Sequence, residues 1–299
     1  MDELKKSVLV PIIFFSYFQF PLKLKELRRY LWRCELSEEE LKKVIRLLPR
    51  VNYEQDLIWY GSVADRSSKA ELANNFWRKT KRYRWVFANV PFLREVFVTN
   101  TLAYDNVKPG SDIDLLIVGR SGRLWICRAI LLLLLSWLGL RVRGVNKHAR
   151  FSPELWLGDS ELDIRKIALD NDYYLSFWLA DVTQIWPGGE PKKLWQSNSW
   201  LKQTLPIAWR SPRVREWPII NPSYGCQMIE RWLGGHYGDW LERRSKDAQK
   251  KIIQRSLDRL GVNPSVVVED NVIKLHFNDR RAMVRDAIEG ALSEILADG

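Results

Sequence analysis

Hydrophobic positions recur along this chain with two periods, one near 3.6 and one of 2, and the switch between them separates helices from strands. From Val8 to Phe20 the chain is nearly all apolar around Pro11, which predicts a buried helix that starts or bends near that proline. Apolar residues at 22, 24, 27, 30 and 31 keep helical spacing. Ser37 with Glu40 forms a capping box ahead of a third helix, which Pro49 stops. Residues 51–53 and 57–60 flank a polar turn and predict a hairpin. A helix follows over 67–86. At 96–98 and 111–118 the pattern becomes aliphatic and β-branched, with Pro109 and Gly110 breaking the chain between two strands. Residues 123–138 are apolar nearly all round and predict a buried helix, followed by a strand over 151–158. Helical patterns cover 170–186, 191–209 and 227–260, the last broken at Gly234-Gly235. A short hairpin within 266–275 and a final helix over 280–296, capped by Asn278-Asp279, complete the chain.

Candidate chemistry concentrates in Ser111-Asp112-Ile113-Asp114-Leu115-Leu116-Ile117-Val118. Residues two apart in a strand share a face, so Asp112 and Asp114 point one way while Ile113 and Leu115 point into a core. Neighbouring carboxylates repel, and burial raises that cost. A divalent cation removes the repulsion, and hard oxygen donors suit Mg²⁺.

With the strand before it, this stretch resembles the nucleotidyltransferase superfamily that includes DNA polymerase beta. The family pattern is Gly-Ser or Gly-Gly after a hydrophobic residue, then about ten residues, then Asp-hydrophobic-Asp. Asp112-Ile113-Asp114 matches the acidic part, with Ser111 before it. Asn100-Thr101-Leu102-Ala103 stands where Gly-Ser-Leu-Ala is usual, with Asn100 in place of the glycine. The resemblance implies an α+β fold with a small mixed-sheet nucleotidyltransferase core at 67–190; three helices followed by a hairpin make 1–66 a winged-helix-like module, read equally as a nucleic-acid or partner docking unit or as a scaffold, and 191–299 is expected as a helical C-terminal domain. It also implies a third carboxylate on the strand beside the acidic pair, for which Glu154 is preferred over Asp163. Two Mg²⁺ ions about 3.5–4 Å apart would then be held by Asp112, Asp114 and Glu154, with Asn100, Thr101 and Ser111 on the triphosphate. The implied reaction moves a nucleoside monophosphate from an NTP to a hydroxyl, with an RNA or DNA end as the expected acceptor. Two other readings stay open: nucleotidylation of a protein or small molecule, and a non-catalytic nucleic-acid-binding protein on a degenerate transferase fold.

Composition adjusts this picture in three places. A net charge of +11 favours a polyanionic partner. Arg78, Lys79 and Arg82, interleaved with Trp77 and Tyr83, and the loop cations Arg143 and Lys147 are the candidate nucleic-acid contacts. Three widely spaced cysteines form no metal motif and fit a reducing, cytoplasmic compartment. The apolar run at 129–140 is too short to span a bilayer and reads as a core helix, and no secretory signal is evident. His236 and His276 stand alone and read as core or capping residues.

Overall fold

Two β-sheets, joined by one layer of helices, organise the chain. The computed structural model describes residues 2–62, 66–142, 144, 146–188, 191–260, 265–275 and 279–297. The N-terminal part runs α1 (Asp2–Tyr17), β1 (Leu22–Lys23), α2 (Leu24–Arg29), α3 (Glu38–Arg46), β2 (Val51–Glu54) and β3 (Leu57–Tyr60). Its antiparallel sheet has the order β1-β3-β2, with Leu22 opposite Ile58. The helical spacing at 22–32 therefore resolves into a two-residue strand and a short helix. The capping box at Ser37 and Glu40 forms as the sequence indicates. Pro11 neither starts nor ends α1. A proline has no N–H for the carbonyl four residues earlier; here that carbonyl, on Ser7, accepts from the Trp32 N–H at 3.0 Å.

The larger sheet follows α4 (Ser67–Tyr83) and a 3₁₀ turn at Arg84–Asn89. It contains β4 (Leu93–Val98), β5 (Ile113–Gly119), β6 (Phe151–Gly158), β7 (Thr183–Trp186), β8 (Val267–Val268) and β9 (Val272–Lys274). Their order is β7-β4-β5-β6-β9-β8, so strands from the C-terminal third extend the central sheet. β4 and β5 are antiparallel and bracket α5 (Asn100–Ala103), whereas β5 and β6 are parallel. A parallel pair needs a crossover, and α6 (Leu124–Trp137) supplies it. Phe97, Leu116, Val118, Leu155 and Leu157 face the helical layer made by α1, α7 (Tyr173–Asp181) and α13 (Arg281–Ala297). Val96, Val98, Ile113, Leu115, Ile117 and Trp156 face a second core with α4 and α6.

The helical pattern over 170–186 splits. α7 covers its first part, and the buried, β-rich Thr183–Trp186 becomes an edge strand on β4. Acids pin both ends of α7. Asp172 caps its N-terminus, and fully buried Asp181 takes hydrogen bonds or ion pairs from Tyr30 at 2.5 Å and Arg213 at 2.7 Å. The single helix expected over 191–209 is three short ones, α8 (Lys192–Ser197), α9 (Leu201–Thr204) and α10 (Pro206–Arg210). Pro206 opens the last of these, as its fixed φ favours. α11 (Tyr224–Trp232) and α12 (His236–Leu260) then meet at the predicted glycine break. Among the described residues, no helix is long and apolar enough to cross a membrane.

Candidate active site

The acidic pair lies where β5 begins. The Thr99 N–H donates to the Asp114 carbonyl at 3.0 Å, fixing the end of β4 against β5. Asn100 follows with φ of 53°, the left-handed region that Asn tolerates better than most residues. Its side-chain oxygen accepts from the Tyr174 hydroxyl at 3.1 Å. The backbone here thus adopts a conformation that suits glycine, with asparagine in its place.

Glu154 reaches the same face by a break in register. Asp114 stands opposite Ser152 and Leu115 opposite Pro153, but Leu116 stands opposite Leu155. Glu154 is the extra residue of a β-bulge. Strict alternation would send Glu154 and Leu155 to opposite faces; the bulge turns both toward the helical layer. Pro153, which has no N–H for a ladder, sits beside the bulge, where a strand interior can accept proline.

Asp114, Glu154, Thr99 and Asn100 line one wall of a cavity of about 310 Å³. Phe18, Leu155, Leu175 and Trp178 give it apolar sides. Tyr174 also lines it, and burial first, then the charge of Asp114, raises its phenol well above the ordinary value. Lys274, Asp279 and Arg281 form another wall. Lys274 donates to Asp279 at 2.7 Å, and Arg281 meets Asp279 at 2.8 Å and Asp172 at 2.8 Å. Burial opposes ionisation of Asp279, but hydrogen bonds from Arg281 and Lys274 hold its carboxyl well below the usual range. Burial lowers Lys274, partly offset by Asp279.

Asp112 is half-buried just before β5. Burial pushes its carboxyl above the ordinary value and the charge of Glu154 adds to this, while its own backbone N–H, Lys147 and Ser152 act the other way. The Ser152 hydroxyl, which lies within reach of Asp112, donates to Glu154 at 3.2 Å.

The remaining predicted residues scatter. Ser111 is half-buried, its hydroxyl taken by the Lys108 N–H at 3.0 Å. Thr101 is in α5, outside the cavity lining, and Thr99 holds the place at the wall that sequence reasoning gave to Thr101. Asp163 caps the 3₁₀ turn Ile164–Ile167 and pairs with Arg165 at 2.6 Å, away from the cavity. Arg78 and Arg82 are exposed on α4. Lys79 lies near Arg150, and burial followed by that neighbour lowers it. Lys147 is exposed beside Asp112. Arg143, His276 and Asn278 lie outside the described residues. Arg84, on the same basic run as Arg78 and Lys79, is buried against the carbonyls of Ile185, Pro187 and Pro218 and faces no solvent.

Among the described residues, no group of three or more His, Cys, Asp or Glu side chains stands in a metal-holding arrangement. The acidic side chains are nonetheless close enough for their charges to act on one another. Asp112 and Glu154 repel one another in half-buried surroundings, Asp114 shares their face, and a cation offsets that repulsion. In comparisons with known proteins, no family profile, no curated protein and no solved structure matches the chain.

Proposed function

We propose that this chain is a divalent-metal-dependent nucleotidyltransferase that moves a nucleoside monophosphate from an NTP to a hydroxyl, with a nucleic-acid end as acceptor. One observation carries the reading. The bulge at Glu154 sets a carboxylate beside Asp114 at the edge of a cavity within the roughly 300–1,000 Å³ range of small-ligand sites. The antiparallel β4–β5 pair, the parallel β6 and the crossover α6 support the resemblance to the transferase core. The α-β-α-α-β-β order of residues 2–60 supports a winged-helix-like module.

Asp112, Asp114 and Glu154 would hold Mg²⁺, which when bound supplies charge neutralisation and makes the acceptor hydroxyl more acidic. The chain's own residues position the reactants. Phe18, Tyr174 and Trp178 line the cavity and would give a nucleobase an aromatic, apolar surface. Asn100, fixed by Tyr174, sets the backbone at the cavity edge. The acceptor oxygen forms its bond to the α-phosphorus as the α–β anhydride bond breaks. Pyrophosphate leaves with that electron pair, and the acceptor proton passes to Glu154 or to water. The protein contributes orientation and electrostatics, without a covalent intermediate.

The test incubates the full chain with labelled NTPs, Mg²⁺ and total tRNA or oligonucleotides. Mg²⁺-dependent label on nucleic acid, lost in Asp114→Asn, supports the reading. Label on protein or a metabolite alone moves the acceptor to another class, and no label on any acceptor counts against transfer.

A further inference from the structure

The junction of α11 and α12 carries a surface that the transferase reading leaves unused. Trp232 is 70% exposed, Tyr237 51% and Trp240 45%. Their rings form a chain, with centroids 5.1 Å apart for Trp232–Tyr237 and 5.7 Å for the stacked pair Tyr237–Trp240. The Arg244 guanidinium lies 5.6 Å from the Trp240 ring. Tyr224 and Met228 extend the patch along α11.

Charge is sorted across this junction. Its acids are engaged: Glu230 pairs with Arg94 at 3.1 Å, Asp239 with Arg123 at 2.6 Å, and Glu242 accepts the Trp125 and Ile126 N–H groups at 2.8 and 2.9 Å. Its cations turn outward. Arg231, Arg244, Lys251 and Arg255 are exposed and, among the described residues, form no salt bridge. At 100° per residue, Tyr237, Trp240, Arg244, Lys251 and Arg255 fall within a stripe about 60° wide and about 27 Å long. Asp247 lies just outside the stripe, and Asp258, at its edge beyond Arg255, is engaged by Gln254 at 2.8 Å.

We propose that this surface binds single-stranded nucleic acid, with bases packing on Trp232, Tyr237 and Trp240 and phosphates following Arg244, Lys251 and Arg255. Exposed ring faces suit unpaired bases, and a line of outward cations suits a sugar-phosphate chain. A purely apolar partner would leave that cationic line without a counterpart. The chain's charge of +11 points the same way. The surface is distinct from the acidic site. Glu230 meets the start of β4, which pairs with the end of β5 at Gly119, while Asp112 precedes the start of β5. The length of β5 separates the two, about 20 Å. The proposal therefore does not depend on nucleotidyl transfer.

The experiment titrates the full chain with a fluorescein-labelled 20-nucleotide oligouridylate, without NTP, at several salt concentrations. The expected result is quenching of tryptophan fluorescence and about tenfold weaker binding to a duplex of the same length. W232A/W240A is expected to weaken single-strand binding at least about tenfold. K251E/R255E is expected to weaken it and flatten its salt dependence. All four residues are exposed, so both variants should keep the wild-type melting temperature. The proposal is overturned if W232A/W240A binds the oligonucleotide as the wild type does, or if duplex and single strand bind alike. It is also overturned if the aromatic pair governs only self-association, or only capture by 4:1 phosphatidylcholine–phosphatidylserine vesicles, with oligonucleotide affinity unmoved.

Discussion

Asp112 and Asp279 are two partly buried carboxyls, and their surroundings push them in opposite directions. Asp279 sits between an ammonium and a guanidinium, which overcome burial and keep it charged. Asp112 sits near a second acid; burial and that neighbour favour the proton. The first arrangement is complete as it stands and ties β9 to α13 and, through Arg281 and Asp172, to α7. The second keeps two acids close to one another, with Lys147 the cation that acts against burial and the Glu154 charge. This contrast separates a structural acid from a candidate catalytic one more sharply than burial does.

The largest effect should come from the acidic wall. Asp114→Asn is expected to lower Mg²⁺-dependent transfer by roughly 10³-fold or more while far-UV circular dichroism is unchanged. Single-turnover incorporation of labelled nucleotide measures this, and activity within tenfold of wild type would break the contrast. Removing the paired acid should instead cost stability. Asp279→Ala leaves Lys274 and Arg281 buried with less compensating charge, for a loss of about 3–5 kcal/mol in urea unfolding. A loss below about 1 kcal/mol would mean that the cluster is not the clamp described.

Acid titration sharpens the same comparison, because the two signs oppose. Asp279 is depressed in the fold, so its stabilisation is present above the unfolded value near 3.9 and is lost as pH falls below it. Asp112 is raised, so its contribution is fully present below about 3.9 and is lost as pH rises through the folded value. At neutral pH without metal, Asp112→Asn should therefore be no less stable than wild type, with a gain of at most about 1 kcal/mol. That gain should vanish on acidification. Added Mg²⁺ should raise the melting temperature of the wild type more than that of Asp112→Asn. The smallest effect is expected from Tyr174→Phe, which removes the hydrogen bond to Asn100 at a cost of about 1 kcal/mol and should raise KM more than it lowers kcat.

Local pattern carried part of this architecture and distance carried the rest. The shared face of Asp112 and Asp114 follows from a period of two, and the crossover helix from an apolar run too short for a membrane. Glu154 was reachable as an acid on the next strand, but the reason it faces the cavity is the bulge. Pro153 is the sequence signal for that bulge, since proline inside a ladder is accommodated at such breaks. The edge strand Thr183–Trp186 was hidden because its apolar residues continue the helical spacing of α7, and only pairing with β4 decides between them. Lys274, Asp279 and Arg281 were missed at the cavity because they lie more than a hundred residues beyond the acidic strand. Their local signals were a lysine inside the run Val272-Ile273-Lys274-Leu275 and the charged cluster at 276–281 around the Asn278-Asp279 cap, to which the sequence alone assigns no chemistry.

The bulge also makes the third acid separable from the scaffold that presents it. Leu155, Trp156 and Leu157 are already in step with Leu116, Ile117 and Val118. Excising Glu154 alone would join Pro153 directly to Leu155 and remove the register break with β5, along with the carbonyl that accepts the Leu275 N–H from beside β9. Under the transferase reading, a codon-sized deletion would remove the third acid by the shortest possible genetic step.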